Sequence, residues 1–386
     1  MVITIFPAAA AASAESCQIP PRAISDAALA GVRLNRWSGW PAASKWPAIG
    51  PPMMPVPMKA IAGRGVGCGM REPGVSGDNG SRRRPRADIP CRLPYPDGRK
   101  IAPVPSFRSA VRYAICNETF GEWPLAEACE YAAGCGYTGI ELAPFTLGTP
   151  GEPPTAIRPA ARREIAGVIR AAGLECVGLH WLLAKTEGLH LTHPDAAVRR
   201  RTAAYLADLA RLCGDLGGKV LVLGSPQQRS RLPGVTAEEA FSSACETLAA
   251  TAEILADSET VLALEPLSTA ETDVITTAAE ARRVIDEVGS PWVRLHLDVK
   301  AMSAEAKPIP EVIRANADIL AHFHANDPNL QGPGFGEVAF EPILAALDAI
   351  NYEGWVSVEV FDYSPGVERL VTESIANLRA AESGLG

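Results

Sequence analysis

From residue 108 to the C-terminus, short runs rich in Val, Leu and Ile alternate eight times with longer runs rich in Ala, Leu, Glu and Arg. The short runs have the length of β-strands, and the longer runs have the apolar spacing of amphipathic helices. Strands are predicted at 111–116, 138–142, 176–179, 219–223, 261–265, 293–298, 320–324 and 355–361. Helices are predicted at 125–135, 160–172, 195–216, 237–257, 277–288, 310–317, 340–350 and 367–380. Eight strand–helix units in about 275 residues predict an α/β protein with a (β/α)8 barrel, the TIM barrel.

A doubly wound open sheet is the competing architecture for this alternation. It is expected to carry a glycine-rich phosphate-binding turn after its first strand. Here the first predicted strand is followed by Asn-Glu-Thr-Phe-Gly at 117–121, which offers no such turn. The sequence therefore favours a closed barrel over residues 108–386.

Residues 1–107 differ in character from the rest of the chain. They are rich in Pro, Gly, Ala and Arg, and their apolar residues follow neither the helical nor the strand period, so we predict a disordered leader. The leader holds 14 Lys and Arg against 6 Asp and Glu, which leaves −16 for the barrel because the whole chain carries −8. An acidic barrel argues against binding to the phosphate backbone of nucleic acids.

The composition limits where such a protein works. A hydrophobic content of 47% is enough for a large core, and no apolar run is long enough to cross a membrane. The first residues lack the basic start of a secretory signal. The nine cysteines are odd in number and lack paired CxxC spacing, so they indicate a reducing, cytoplasmic location. The composition leaves open whether copies of the chain form a homo-oligomer.

The fifth to eighth predicted strands each carry, at or near their C-terminal ends, a side chain that can bind a metal: Glu265, Asp298, His324 and Glu359. The C-terminal ends of barrel strands meet at one face, so these four side chains should lie together. Three carboxylates crowded in a low dielectric repel one another unless a cation lies among them. One divalent metal ion is therefore predicted. The oxygen-rich donor set suits Mn²⁺ best, with Mg²⁺ or Co²⁺ as alternatives.

Other polar residues follow the remaining strands and are expected to line the same pocket. Glu141, His180, Trp181, Arg229 and Asn326 are the predicted substrate contacts. Trp181 could stack on a sugar ring, and Arg229 would be the anion contact for a phosphorylated substrate. Two further histidines, His296 and His322, lie one pleat below the predicted ligands, where we expect them to support those ligands by hydrogen bonding in preference to binding the metal directly.

The strand-end residues also carry a family resemblance. Leu-Glu265-Pro-Leu, His-Leu-Asp298, Phe-His324 and Ser-Val-Glu359 follow one another at intervals of 33, 26 and 35 residues. This pattern resembles the xylose isomerase-like superfamily of sugar phosphate isomerases and epimerases, above all the D-tagatose/D-psicose 3-epimerases. The resemblance implies that the four residues bind one metal, that Glu265 and Glu359 are also the catalytic acid/base pair, and that Glu271 contacts a substrate hydroxyl.

Two positions depart from the epimerase pattern. The epimerases carry a His three residues after the Asp and an Arg six residues after the metal-binding His, where this chain has Ala301 and Leu330. Lys300 is the nearest polar side chain to the first departure and is a further predicted substrate contact. We therefore expect a ketonic polyol or a 3-keto-sugar derivative as substrate in preference to a free ketohexose.

The residues themselves point to the same chemistry. A metal that binds a carbonyl and a neighbouring hydroxyl stabilises the enediolate formed when the carbon beside the ketone loses its proton, and flanking carboxylates supply base and acid. Proton transfer gives an epimer or isomer, and loss of a β-hydroxyl gives a dehydrated product. The leading hypothesis is a metal-dependent sugar epimerase/isomerase. The alternatives are a dehydratase or eliminase of inosose or 3-keto-glycosides, and a sugar-binding barrel without turnover.

Overall fold

The computed structural model describes residues 111–149 and 151–385. Eight parallel strands form one closed barrel in which each strand pairs with the next and the last pairs with the first. The strands are β1 Arg112–Cys116, β2 Gly139–Leu142, β3 Glu175–Leu179, β4 Val220–Leu223, β5 Val261–Leu264, β6 Val293–Asp298, β7 Leu320–Ala325 and β8 Trp355–Val358. The predicted (β/α)8 barrel is confirmed, and every strand overlaps its predicted range. The predicted leader, residues 1–107, lies outside the described residues.

Ten α-helices connect the strands within the described part of the chain. They are α1 Leu125–Cys135, α2 Pro159–Ala171, α3 Ala196–Leu216, α4 Ala237–Ala249, α5 Ala252–Asp257, α6 Ala278–Val288, α7 Val299–Met302, α8 Ile309–Ala315, α9 Glu341–Ala349 and α10 Val367–Ser383. None of them is long and apolar enough to cross a membrane.

Two features of the helices differ from the sequence prediction. The single helix predicted at 237–257 is two helices, because the buried Thr251 turns the chain and bonds Leu248 O through both its N–H and its hydroxyl. The short helix α7 was not predicted. It begins directly at the end of β6, where the Asp298 side chain accepts a hydrogen bond from Ala301 N and so caps the helix.

The barrel interior changes from apolar to polar along the strands. Ala114, Val177 and Trp355 pack together near the N-terminal ends. The interior positions nearer the C-terminal ends are Cys116, Glu141, His296, His322 and Ser357, all fully buried. Strand residues on the outer face, such as Ile115 and Phe323, belong to the large core between barrel and helices. The fold thus places a buried polar layer directly beneath the ends of the strands.

Candidate active site

The four predicted metal ligands lie at the C-terminal ends of neighbouring strands. Glu265 directly follows β5, Asp298 ends β6, His324 lies near the end of β7, and Glu359 directly follows β8. Asp298 and His324 are paired residues in the β6–β7 register. All four side chains are buried, with exposed fractions of 7% or less. The barrel therefore brings together the side chains that the strand ends predicted.

Their ligand atoms are close enough to share a cation. One ligand atom each from Asp298, His324 and Glu359 lies within 4.8 Å of the other two, and the same holds for Glu265, His296 and Asp298. Asp298 belongs to both groups. Oxygen ligands with one or two imidazole nitrogens form a donor set that Mn²⁺ or Co²⁺ accepts. The residues present thus fit a divalent metal ion.

The charges of the carboxyl groups at this site also favour a bound cation. Burial raises the pKa of the Glu265 carboxyl well above its usual value, and the charges of Asp298 and Glu359 add to the rise. Burial also raises the pKa of Asp298, with Lys300 opposing the rise and Glu359 adding to it. Buried carboxylates whose pKa values are raised by burial and by neighbouring negative charge are stabilised as anions when a cation joins them.

Asp298 is held in place by hydrogen bonds from Ala301 and Asn326. Its Oδ1 accepts from Ala301 N at 2.7 Å, and its Oδ2 accepts from Asn326 Nδ2 at 2.5 Å. Asn326 Oδ1 in turn accepts from Lys300 N at 2.8 Å. Asn326 is fully buried, so the structure places this predicted substrate contact behind Asp298.

Glu359 has a different partner on each carboxylate oxygen. Oε1 accepts from Trp181 Nε1 at 2.7 Å and lies 3.3 Å from His180 Nδ1, whereas Oε2 lies 3.1 Å from His324 Nδ1. His180 is fully buried, and its Nε2 is 2.9 Å from Glu118 Oε2. Sequence reasoning missed Glu118. The signal for it was a carboxylate two residues past the end of the first predicted strand.

Glu141, a predicted substrate contact, lies deep in the barrel. It is fully buried, and its Oε2 lies 2.9 Å from His322 Nε2 and 3.1 Å from His324 Nε2. Burial alone would raise the pKa of Glu141, but His322 and His324 hold it well below its usual value. Glu141 therefore supports the inner side of His324.

Arg229 is also buried. Its exposed fraction is 0%, and one guanidinium nitrogen donates to Glu265 O at 2.7 Å. Burial lowers the pKa of Arg229 to about 10. The structure thus places this predicted anion contact behind the end of β5, where it braces the backbone of Glu265.

One wall of the site is a stack of aromatic rings. The Trp181 ring lies between Phe145 and Phe361, with ring centroids 5.9 and 5.8 Å apart and interplanar angles of 24° and 16°. Lys185 Nζ covers the Phe145 ring at 4.1 Å, and Lys300 Nζ covers the Phe361 ring at 4.2 Å. Trp181 is only partly buried and packs with both phenylalanine rings, so it forms the centre of this wall.

Lys300 and Glu271 form the charged pair at the rim of the site. Lys300 Nζ lies 2.8 Å from Glu271 Oε1, while Glu271 Oε2 accepts from Ser268 Oγ at 2.8 Å. Their side chains are 12% and 26% exposed, so a substrate can reach both.

Leu330 stands where the epimerases carry an Arg. It adopts a left-handed φ of 72°, and its carbonyl accepts from Phe361 N and Asp362 N at 2.8 Å. Leu330 thereby ties the β7 loop to the segment that carries Phe361.

Comparison with known proteins places this geometry in context. A family model described as xylose isomerase-like TIM barrel matches residues 129–381. A probable ketose 3-epimerase from Synechocystis sp. is 26% identical over 213 residues, which are 51% of this chain and 71% of the relative. A 3-dehydro-D-guloside 4-epimerase from Escherichia coli is 30% identical over 151 residues, 38% of this chain and 58% of the relative. The crystal structure of D-psicose 3-epimerase from Clostridium cellulolyticum H10 has a TM-score of 0.63 and 20% identity, and the likeness covers 70% of this chain and 99% of that one.

Proposed function

The chain belongs to the xylose isomerase-like TIM barrel family, and from this membership we propose that it is a metal-dependent epimerase or isomerase of a keto-sugar or related polyol. Its relatives include ketose 3-epimerases and a 3-dehydro-D-guloside 4-epimerase, which are isomerases. Sugar epimerase/isomerase is accordingly the general assignment. The metal, the roles of the residues and the substrate are the further content of the proposal.

The observation that carries the proposal is the convergence of Glu265, Asp298, His324 and Glu359 at four neighbouring strand ends. These residues would hold one divalent cation, with Mn²⁺ preferred to Mg²⁺ or Co²⁺. When bound, the cation supplies positive charge that stabilises the negative charge developing on the substrate oxygens. One of Glu265 and Glu359 removes the proton from the carbon beside the ketone, and the other returns a proton.

The rim of the site favours a small, unphosphorylated ketonic polyol or 3-keto-sugar derivative. Arg229 is fully buried, so its guanidinium is not exposed at the rim where a substrate phosphate would enter. Lys300 and Glu271 remain within reach of substrate hydroxyls. Because Ala301 stands where the epimerases carry a larger His, we expect a substrate bulkier than a free ketohexose.

A substrate screen tests this proposal. The metal-loaded protein is incubated with D-fructose, D-psicose, D-tagatose, inosose and 3-keto-glucosides in the presence of Mn²⁺, and products are identified by NMR. We expect epimerisation of a 3-keto-glucoside or related keto-polyol, with the free ketohexoses turned over poorly. Efficient turnover of D-fructose or D-tagatose alone would refute the substrate preference, and loss of water from inosose would indicate a dehydratase.

A further inference from the structure

The two proposed acid/base residues differ in how the protein holds them. Within the described residues, only the Glu359 carboxylate is fixed by hydrogen-bond partners. Trp181 and His180 both contact Oε1, and His324 contacts Oε2. No hydrogen bond among the described residues ends on the Glu265 carboxylate. Oε1 of Glu359 is thus bonded to Trp181 and His180, which are not proposed metal ligands. Oε2 faces the imidazole of His324, which is one.

The two donors to Oε1 are themselves rigidly placed. Trp181 has a left-handed φ of 54°, which is uncommon for a bulky residue and requires the surrounding structure to hold it. Its ring is packed between Phe145 and Phe361, which fixes the direction of the indole N–H. His180 is fully buried with Glu118 behind it, at 2.9 Å from Nε2. His180 is thus held away from solvent, and Trp181 is partly buried.

We propose that Trp181 and His180 are positioning residues that hold Oε1 of Glu359, so that Oε2 alone is presented to the metal and the substrate. This inference rests on the proposed function, because it takes Glu359 as a metal ligand and proton carrier. Without the indole donor the carboxylate can rotate about its terminal bond, which weakens metal binding and slows proton transfer. Substrate binding at Lys300 and Glu271 is left nearly unchanged.

The substitution Trp181→Phe separates the effect of the indole N–H from the effect of the aromatic ring. Phe keeps an aromatic ring between Phe145 and Phe361 but has no N–H. Trp292→Phe is the matched control, because Trp292 is partly buried and precedes β6 at the opposite end of the barrel. For Trp181→Phe we expect the Kd for Mn²⁺ to rise about 10- to 100-fold, as for other residues that orient metal ligands. We also expect kcat to fall with little change in KM, and Trp292→Phe to behave like the wild type.

A second pair of variants tests His180 in the same way. His180→Gln keeps a donor near Oε1, whereas His180→Leu removes it, so the Gln variant should retain more Mn²⁺ affinity than the Leu variant. Wild-type affinity and kcat in Trp181→Phe would overturn the inference and leave the metal site standing. Failure of the wild type to bind Mn²⁺ would instead overturn the proposed metal site, and the inference with it.

Discussion

Gly224 determines where the carboxylate of Glu265 can lie. It directly follows β4, next to the end of β5, and a Cβ at this position would overlap Glu265 Oε2. Only the end of one side chain stands in the way, so an added methyl group should displace the carboxylate without disturbing the barrel. A residue without functional atoms therefore controls one of the two proposed proton carriers.

We predict that Gly224→Ala lowers both Mn²⁺ affinity and kcat by at least about tenfold, as expected when a metal ligand is misplaced. Its melting temperature should change little. The control is Gly167→Ala in α2, where an added Cβ meets nothing within 4 Å. That control should gain about 1 kcal/mol of helix stability and keep full activity. Full Mn²⁺ affinity in Gly224→Ala would show that Glu265 is not a ligand.

The identity of the site residues was predictable, but their depth in the barrel was not. Glu265, Asp298 and Glu359 could be found because strand ends converge on one face. Glu141 faces the interior, as its strand period requires, yet it lies beneath His324. Register shifts at Ile140/Glu141 and at Leu295/His296 change the depth of the side chains that follow, and a single sequence carries no local signal for such shifts.

The junction between β6 and α7 couples a proposed metal ligand to the start of a helix. Asp298 caps α7 through Oδ1 and accepts from Asn326 through Oδ2. A simple Asp298→Asn change would keep the cap, since Asn caps helices as well as Asp does, but it would set two amide donors against each other. The exchange Asp298→Asn with Asn326→Asp restores a donor–acceptor pair.

We predict that this exchanged pair folds with a melting temperature near that of the wild type but binds Mn²⁺ more than about 100-fold more weakly, because the charged ligand has moved out of the site. Circular dichroism and calorimetry measure the two effects separately. Mn²⁺ affinity equal to that of the wild type would mean that Asp298 acts only as a helix cap.

The order of the elements could be derived from the sequence almost completely, because strand and helix periods differ clearly and eight repeats leave few alternative folds. Short local exceptions could not be derived. The break at Thr251 and the four-residue helix α7 each depend on a hydrogen bond made by a buried side chain. The spacing of apolar residues carries no information about such bonds.

The barrel as a whole concentrates negative charge at the end where its strands finish. Burial raises the pKa of Glu265, and the charges of Asp298 and Glu359 raise it further. Burial alone would lower the pKa of His324, but Glu359 and Glu141 raise it well above its ordinary value. Both groups hold protons to higher pH than usual, and a metal ion binds only their deprotonated forms.

Metal binding should therefore release protons and weaken as the pH falls. The affinity falls at lower pH because the pKa values of Glu265 and His324 are raised, and protons therefore compete with the cation at both groups. Titration of Mn²⁺ in two buffers of different ionisation enthalpy measures the number of protons released. An affinity independent of pH, with no proton release, would contradict the assigned ligands.

Solvent deuterium exchange distinguishes proton transfer from simple binding of a sugar. The Mn²⁺-loaded protein is incubated in D₂O with the panel of keto-sugars, and NMR follows deuterium entering the carbon beside the carbonyl. We expect exchange in at least one 3-keto-sugar or keto-polyol, and we expect it to be lost on chelation of the metal and in Glu265→Gln and Glu359→Gln. Binding of a sugar without deuterium entering any member of the panel would contradict it and identify a sugar-binding barrel without turnover.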